Sequence, residues 1–260
     1  MRSLLIACII TVLAFSTIGC IAQNAEGSDN SLRFKNMELQ ELVYKKGQSS
    51  PNRIYLKEND EMAPYIILTA DYNDNCLLLR EFLLNERMRF NPNDRFSAYY
   101  EDSEIDRYLN GDFLSALSNE IKDKIINTEI TITAKDSLGV CGTETITIMR
   151  NIFLLSYAEL GGIKSSTNAA EGKPFNFFKN NESRIARRSS GEIDSWWLRT
   201  PNTWYDNVVC GVSIDGVVGI GGMGAEDEYL NGIRPAFCLP KDTLVHKEEI
   251  NGNKIYLVTR

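Results

Sequence analysis

Apolar and polar positions change period several times along this chain, and each change marks an element. The first block, Leu4 to Phe15, is almost continuously apolar. Beyond it, Asn36–Tyr44, Arg53–Lys57 and Tyr65–Ala70 carry the short β-branched and aromatic runs of strands, with Tyr65-Ile66-Ile67-Leu68-Thr69 the most β-prone. Cys76–Asn85 (CLLLREFLLN) suits a buried strand or a short helix, and a strand entering a loop is the preferred reading. The period then lengthens. Ile105, Leu109, Phe113 and Leu117 fall four apart and predict one helical face within Ser103–Asn127. Ser103 with Asp106 makes a capping-box-like start, Asn110-Gly111 is expected to end a first helix, and Ser118 to cap a second that runs to about Asn127.

Glu129–Thr133 and Thr143–Met149 return to the two-residue alternation of a hairpin, and Ile152–Ser156 reads as a buried strand. Tyr157–Leu160 then predicts a short helix stopped by Gly161-Gly162. Ile163–Asn181 predicts a long polar surface loop pinned by Phe175, Phe177 and Phe178. The densest stretch is Asp194–Leu239, which holds all three tryptophans. There, Val208, Cys210, Val212 and Ile214 share one strand face, and Asp215-Gly216 is expected to turn back into Val217–Ile220 as a two-residue hairpin. Ile233, Phe237 and Leu239 share a face of the next strand, where Pro235 argues for an edge or a bulge. Leu244–Val258 predicts a final hairpin turning at Asn251-Gly252. Strands outnumber helices, so the class expected is α+β, with short twisted antiparallel sheets, two helices and long loops.

Composition adds an address. The 260 residues, 43% of them hydrophobic, suffice for one domain with a sizeable core. Met1–Gly19 has Arg2, the apolar block and small residues before Cys20, the layout of an export signal. The block falls short of the ~20 residues that span a bilayer. Thr17-Ile18-Gly19-Cys20 resembles a lipobox, departing from it at Thr17, where leucine is usual. That resemblance implies acylation of Cys20 and anchoring on the outer side of the cell membrane, with simple secretion as the alternative. The expected organisation is therefore a signal over 1–19, a polar tether over 20–31 and a single domain over 32–260.

The formal net charge of −7 becomes one unit more negative when Arg2 leaves with the signal. An acidic exported chain is a poor nucleic-acid binder, because phosphate contacts need a basic face. The cluster Arg184, Arg187 and Arg188 reads as a solvated surface. Cys76, Cys141, Cys210 and Cys238 permit two disulfides in three connectivities, although the apolar face around Cys210 fits a buried thiol equally well. No CxxC spacing occurs and His246 is the single histidine, so neither a zinc site nor another cofactor is expected.

Four motifs occur in order: Ser103-Glu104-Ile105 with Tyr108-Leu109-Asn110-Gly111-Asp112-Phe113, Phe153-Leu154-Leu155-Ser156 with Glu159, Trp196-Trp197-Leu198-Arg199, and Gly232-Ile233-Arg234-Pro235-Ala236. Over roughly Ile54–Leu239 this resembles a family of bacterial exported domains of unknown function. That family is distantly similar to the C-type-lectin-like fold group, which also holds the formylglycine-generating enzymes. The resemblance implies a C-type-lectin-like architecture. The chemistry of those relatives does not carry over: Cys210 and Cys238 are far apart, and the Glu-Pro-Asn or Gln-Pro-Asp triplet of calcium-dependent sugar binders is absent.

Candidate chemistry is sparse. Trp196 and Trp197 face opposite sides of a strand and suit ring packing. Arg199 and Arg234 suit the holding of loops through a buried acid or backbone carbonyls, with a carboxylate clamp as the alternative. Trp204, Tyr205, Asp206 and Asn207 follow the turn signal Thr200-Pro201-Asn202, so their rings and polar groups either display a recognition surface or pack onto the core. Glu226-Asp227-Glu228 with Asp206 or Asp215 offers oxygens to calcium, against the plainer reading of a solvated acidic loop. A Ser-His-Asp triad would need His246, which lies among Lys247, Glu248 and Glu249. The reading that follows is non-catalytic binding of a glycan or protein at the cell surface. An envelope-acting enzyme and a purely structural surface lipoprotein are the alternatives.

Overall fold

The computed structural model describes residues 36–92, 97–137, 142–162, 170–202, 204–226, 231–250 and 253–259. The expected signal, the tether and Cys20 lie outside the described residues, as do Cys141, Asp227, Glu228 and the Asn251-Gly252 turn.

Strands β1 (Arg53–Glu58), β2 (Glu61–Tyr72) and β3 (Asn75–Arg80) form a meander. Its two turns, Asn59-Asp60 and Asn73-Asp74, have positive φ at both residues (44° and 69°, 50° and 62°). Asn and Asp tolerate that region, and such turns match the twist of the flanking strands. β1 alternates, with Ile54 and Leu56 inward, whereas Cys76–Leu79 of β3 is buried on both faces. The Asn36–Tyr44 expectation is corrected. Only Met37–Glu38 is extended, and Leu39–Leu42 winds into a 3₁₀ turn that buries both leucines.

The helical run 104–116 opens at Ser103, whose Oγ accepts from the Asp106 amide at 3.1 Å. It does not end at Asn110-Gly111 as expected. The turn Leu109–Phe113 widens to π geometry and the helix continues to Ala116. Asn110 explains this: its side chain donates to Asp106 O and Ile152 O, and accepts from the amides of Asn151 and Ile152. Single wider turns of this kind interrupt α-helices without ending them. Ile105, Leu109, Phe113 and Leu117 are all buried, as the spacing predicts. The second helix is shorter than expected, Asn119–Lys122.

β4 (Thr128–Thr133) and β5 (Thr145–Arg150) pair as the expected hairpin, and Ile152–Phe153 adds a short strand. Tyr157–Leu160 is a turn and not a helix, closed by Gly161 at φ +76°. Strands β6 (Trp196–Pro201), β7 (Val208–Val212) and β8 (Val218–Gly224) follow, then β9 (Ala236–Pro240), β10 (Leu244–Ile250) and β11 (Asn253–Val258). The larger sheet has eight strands in the order Met37–Glu38, β10, β11, β1, β2, β3, β9, Ile152–Phe153. The second has five: β8, β7, β6, Asn231–Gly232, Arg87–Met88. Pro235 lies in the crossing between Asn231–Gly232 of one sheet and β9 of the other, outside any ladder, so β9 is an interior strand with an unbroken register, neither the expected edge nor a bulge.

The turn at Asp215-Gly216 is longer than a two-residue hairpin. Register pairs Val212 with Val218, and Ser213 closes the loop by exchanging hydrogen bonds with Gly216 and Val217. Ile214 is accordingly exposed and not on the buried face. One hydrophobic core unites both sheets and the helical run. The fold is thus α+β with strand predominating. Its sheets are neither short nor wholly antiparallel as expected: the larger has eight strands, and β11 with β1, and β6 with Asn231–Gly232, pair in parallel. No described helix is long and apolar enough to cross a membrane.

Candidate functional site

Two places gather deeply buried arginine side chains, and both are structural. Arg199 projects from β6 with no exposure and meets Glu159 in a two-pronged pair, Nη1–Oε2 at 2.8 Å and Nη2–Oε1 at 2.9 Å. Its remaining donors reach Thr131 O, Leu154 O and Glu171 O. Burial works against the guanidinium charge, but adjacent Glu159 outweighs it and the Arg199 pKa is raised. Glu159 also accepts from Tyr72 Oη and the Ser156 amide. Glu171, equally buried, has its pKa raised by burial, although it accepts from Thr133 N, Thr133 Oγ1 and Thr200 Oγ1. The sequence reading missed Glu171 because it lies in the polar segment read as a surface excursion.

The second place is the segment after β3. Six consecutive carbonyls, Arg80 to Asn85, accept from three arginines, two carbonyls each. Arg234 takes Arg80 and Glu81, Arg80 takes Phe82 and Leu83, and Arg188 takes Leu84 and Asn85. A chain segment without a β ladder needs such partners when it runs against the core. Arg80 is neutralised by Glu58 (3.0 Å) and Arg188 by Asp194 (2.7 Å). Arg234 has no carboxylate and lies over the Trp196 ring, 5.2 Å from its centroid, and burial pulls its pKa down to about 10. The solvated basic cluster is therefore corrected: Arg187 is exposed, but Arg188 is buried and Arg184 half-buried against Leu160 O. Arg199 and Arg234 both hold loops, through an acid in one case and carbonyls in the other.

Trp196 and Trp197 are both fully buried, on opposite faces of β6, because this strand is covered on both sides. Trp196 Nε1 donates to Arg184 O, and Trp197 Nε1 to Met88 O. The third tryptophan differs. Trp204 is 56% and Tyr205 59% exposed, on the loop joining β6 to β7. Beneath these rings the backbone is pinned. Asn202 Oδ1 accepts from Trp204 N at 2.8 Å, Asn202 N donates to Val208 O, Asp206 O accepts from Ala98 N, and Asn207 O accepts from Ala225 N. Of the four predicted residues, Trp204, Tyr205 and Asn207 are exposed and Asp206 is partly so. The exposure of Trp204 and Tyr205 excludes the alternative that these two rings pack onto the core.

A family profile described as a domain of unknown function (DUF6273) matches residues 73–241, well over half of the chain. The chain belongs to this family. No curated protein matches it, and no solved structure does. The DUF6273 segment takes in the helical run, the arginines of both networks and the Trp204 loop, but not β1, β2, β10 or β11. Within it the four motifs meet as one scaffold: Ser103 caps, Asn110 bridges to Ile152, Glu159 pairs with Arg199, and Arg234 carries the segment after β3.

The remaining candidates of the DUF6273 chain separate cleanly. Cys76, Cys210 and Cys238 are buried free thiols. Cys76 and Cys238 lie on paired strands one register step apart, so they point to opposite faces and no bond joins them. Burial pushes both thiols up to about 12, which keeps them protonated and unreactive. Glu226 is exposed and accepts from Ser97 Oγ. Asp215 accepts from Ser213 and lies fully exposed in its own loop. His246 pairs with Glu248 in β10 at 3.0 Å.

Proposed function

We propose that this domain is a non-catalytic binding module displayed at the bacterial cell surface, which takes a glycan or protein ligand through Trp204, Tyr205, Asp206 and Asn207. The observation that supports it is the pairing of exposure with rigidity. Two large rings stand more than half in water on a backbone held at four points. Exposed rings forgo burial worth about 25 cal/mol per Å², and a fixed loop lowers the ordering cost of binding. The rings supply stacking faces, and Asp206 and Asn207 supply acceptors and donors for hydroxyl groups. The C-type-lectin-like reading of the fold belongs to the same proposal, supported by the ordered motifs and by sheets joined through long pinned loops. Superposing an experimental structure on lectin-like domains tests it. A glycan-array and cell-wall pull-down screen, run with the parent and with Trp204→Ala, tests the site. The variant is expected to lose at least ~2 kcal/mol of binding with stability unchanged within about 0.5 kcal/mol. Equal retention of ligand by the variant, or a strongly lowered melting temperature, rules the site out.

The proposal includes an address. Cleavage after Gly19 leaves Cys20 acylated and the polar tether 20–31 below the domain, motivated by the Gly19-Cys20 ending of the apolar segment. Cys20→Ala in a bacterial host is expected to abolish lipid labelling and to shift the protein out of the membrane fraction. Labelling equal to the parent's refutes the anchor.

A further inference from the structure

A cleft of about 540 Å³ opens between the β1–β2 hairpin, the arginine-held segment after β3, and the helical run. That size lies within the range of small-ligand sites, ~300–1,000 Å³. It shares no lining residue with the Trp204 loop. Part of the cleft is the neutralised pair Glu58–Arg80, with Tyr65 Oη also donating to Glu58. Both partners are already satisfied, so this pair fixes shape and leaves no net charge. The wall is preformed as well, because the three arginines described above hold its carbonyls one after another.

What remains unsatisfied is of one sign. Glu61, Glu86 and Asp112 line the cleft, are exposed, and have neither an ion pair nor a hydrogen bond. Between them lie apolar surfaces: Met62, half exposed, with Phe82 and Tyr108 partly so. The Tyr108 phenol feels several of these carboxylates at once. Burial first, then Glu86, Asp112 and Glu58, push its pKa up to about 12. A bare metal ion does not suit this layout. Among the described residues no three acidic, cysteine or histidine side chains come close enough to hold one. Spread carboxylates around apolar walls suit a larger cation, one whose charge sits at the end of a hydrocarbon stem. A compact ammonium on a flexible stem can pair with one carboxylate at a time within the field of its neighbours, whereas a planar guanidinium prefers a single carboxylate taken two-pronged.

We infer that this cleft binds an aliphatic ammonium, such as a lysine side chain, with the stem against Met62, Phe82 and Tyr108 and the charge among Glu61, Glu86 and Asp112.

The test uses the full-length chain and NMR titration of the Met62 methyl and Tyr108 ring signals. The probes are Nα-acetyl-lysine methylamide, its uncharged norleucine counterpart, cadaverine and calcium chloride. The lysine probe is expected to shift both signals with an affinity that weakens as salt rises, and the norleucine probe to leave them in place. Cadaverine binding as well as the lysine probe identifies a free amine as sufficient; a clear preference for the lysine probe identifies a peptide side chain. Glu86→Gln with Asp112→Asn, two exposed and unpaired positions, should weaken binding about tenfold. Glu192→Gln, an exposed acid outside the cleft, and Trp204→Ala should leave it unchanged. Met62→Lys, which supplies an ammonium in cis, should abolish it. Shifts equal for the norleucine probe, no shift with lysine, saturation by calcium alone, or full affinity in both cleft variants overturns the inference.

Discussion

Glu159→Ala destabilises the domain by about 3–5 kcal/mol, measured by urea denaturation, the largest loss expected from any single change at a polar position. The reason is the asymmetry of a buried pair. Glu159 and Arg199 have no exposure, and the two-pronged contact at 2.8 and 2.9 Å offsets the cost of taking both charges out of water. Removing the carboxylate leaves a guanidinium in the core with a carboxylate partner only in Glu171, whose own pKa burial has raised. A domain with ~5–15 kcal/mol of total stability does not tolerate that easily. Arg199→Lys keeps a charge but loses the planar fork that also reaches Thr131, Leu154 and Glu171, so it too should lose stability. The double change Glu159→Leu with Arg199→Met should cost less than the two single losses added, since no orphaned charge remains. A Glu159→Ala protein with the parent's urea midpoint would show that the pair contributes nothing net, and strict additivity in the double change would remove the coupling.

Gly216→Ala is expected to cost roughly 2–4 kcal/mol, the sum of left-handed backbone strain and overpacking. Gly216 sits at φ +78°, and a Cβ built there lies 1.9 Å from Asn181 O. That neighbour is backbone, so it does not swing aside. Two other glycines separate the contributions. Gly191 has φ +92° with nothing within 4 Å of a Cβ, so Gly191→Ala carries the strain alone. Gly111 lies in the helical run with open space and ordinary φ, so Gly111→Ala should be neutral or stabilising by up to about 1 kcal/mol. Thermal unfolding of the three variants should rank them Gly216, Gly191, Gly111 from most to least destabilised. Equal melting temperatures for the first two would mean that the Asn181 contact is not felt.

Local chemistry was legible in the residues. The helical face Ile105, Leu109, Phe113 and Leu117 and the β4–β5 alternation came from periodicity, because a side chain's direction repeats with its own backbone, and the final hairpin came from its Asn-Gly turn signal. The turn at Asp215-Gly216 was legible from its residue types, although its length was not. The turns Asn59-Asp60 and Asn73-Asp74 carry the residue types that tolerate positive φ, and their signal lay in plain view. Misreadings arose where a distant partner decided the outcome. Asn110-Gly111 looks like a helix end, yet Asn110 is drawn to Ile152, 42 residues away, and the helix runs on through a wider turn. Arg188 looks like a solvated charge in an arginine cluster, yet it is buried against Leu84 and Asn85, about a hundred positions earlier. Glu171 sits in a polar loop, and only the approach of Thr133 and Thr200 makes it a core residue.

The candidate sites divide in the same way. Sequence named Trp204, Tyr205, Asp206 and Asn207 from ring chemistry beside a turn signal, but exposure is a property of the whole packed molecule and only tertiary structure assigned it. Trp196 and Trp197 show the converse, since composition alone does not distinguish their rings from that of Trp204. The cleft was not legible at all. Glu61, Glu86 and Asp112 belong to three separate elements, and nothing local relates them; the β1–β2 hairpin, the arginine-held segment and the helix bring them together. What sequence by itself determined here is the set of local geometries, which follow from sterics within a few residues. What only the tertiary structure decided is which charges are buried and paired and which are left facing a shared space, because both depend on contacts between segments far apart in the chain.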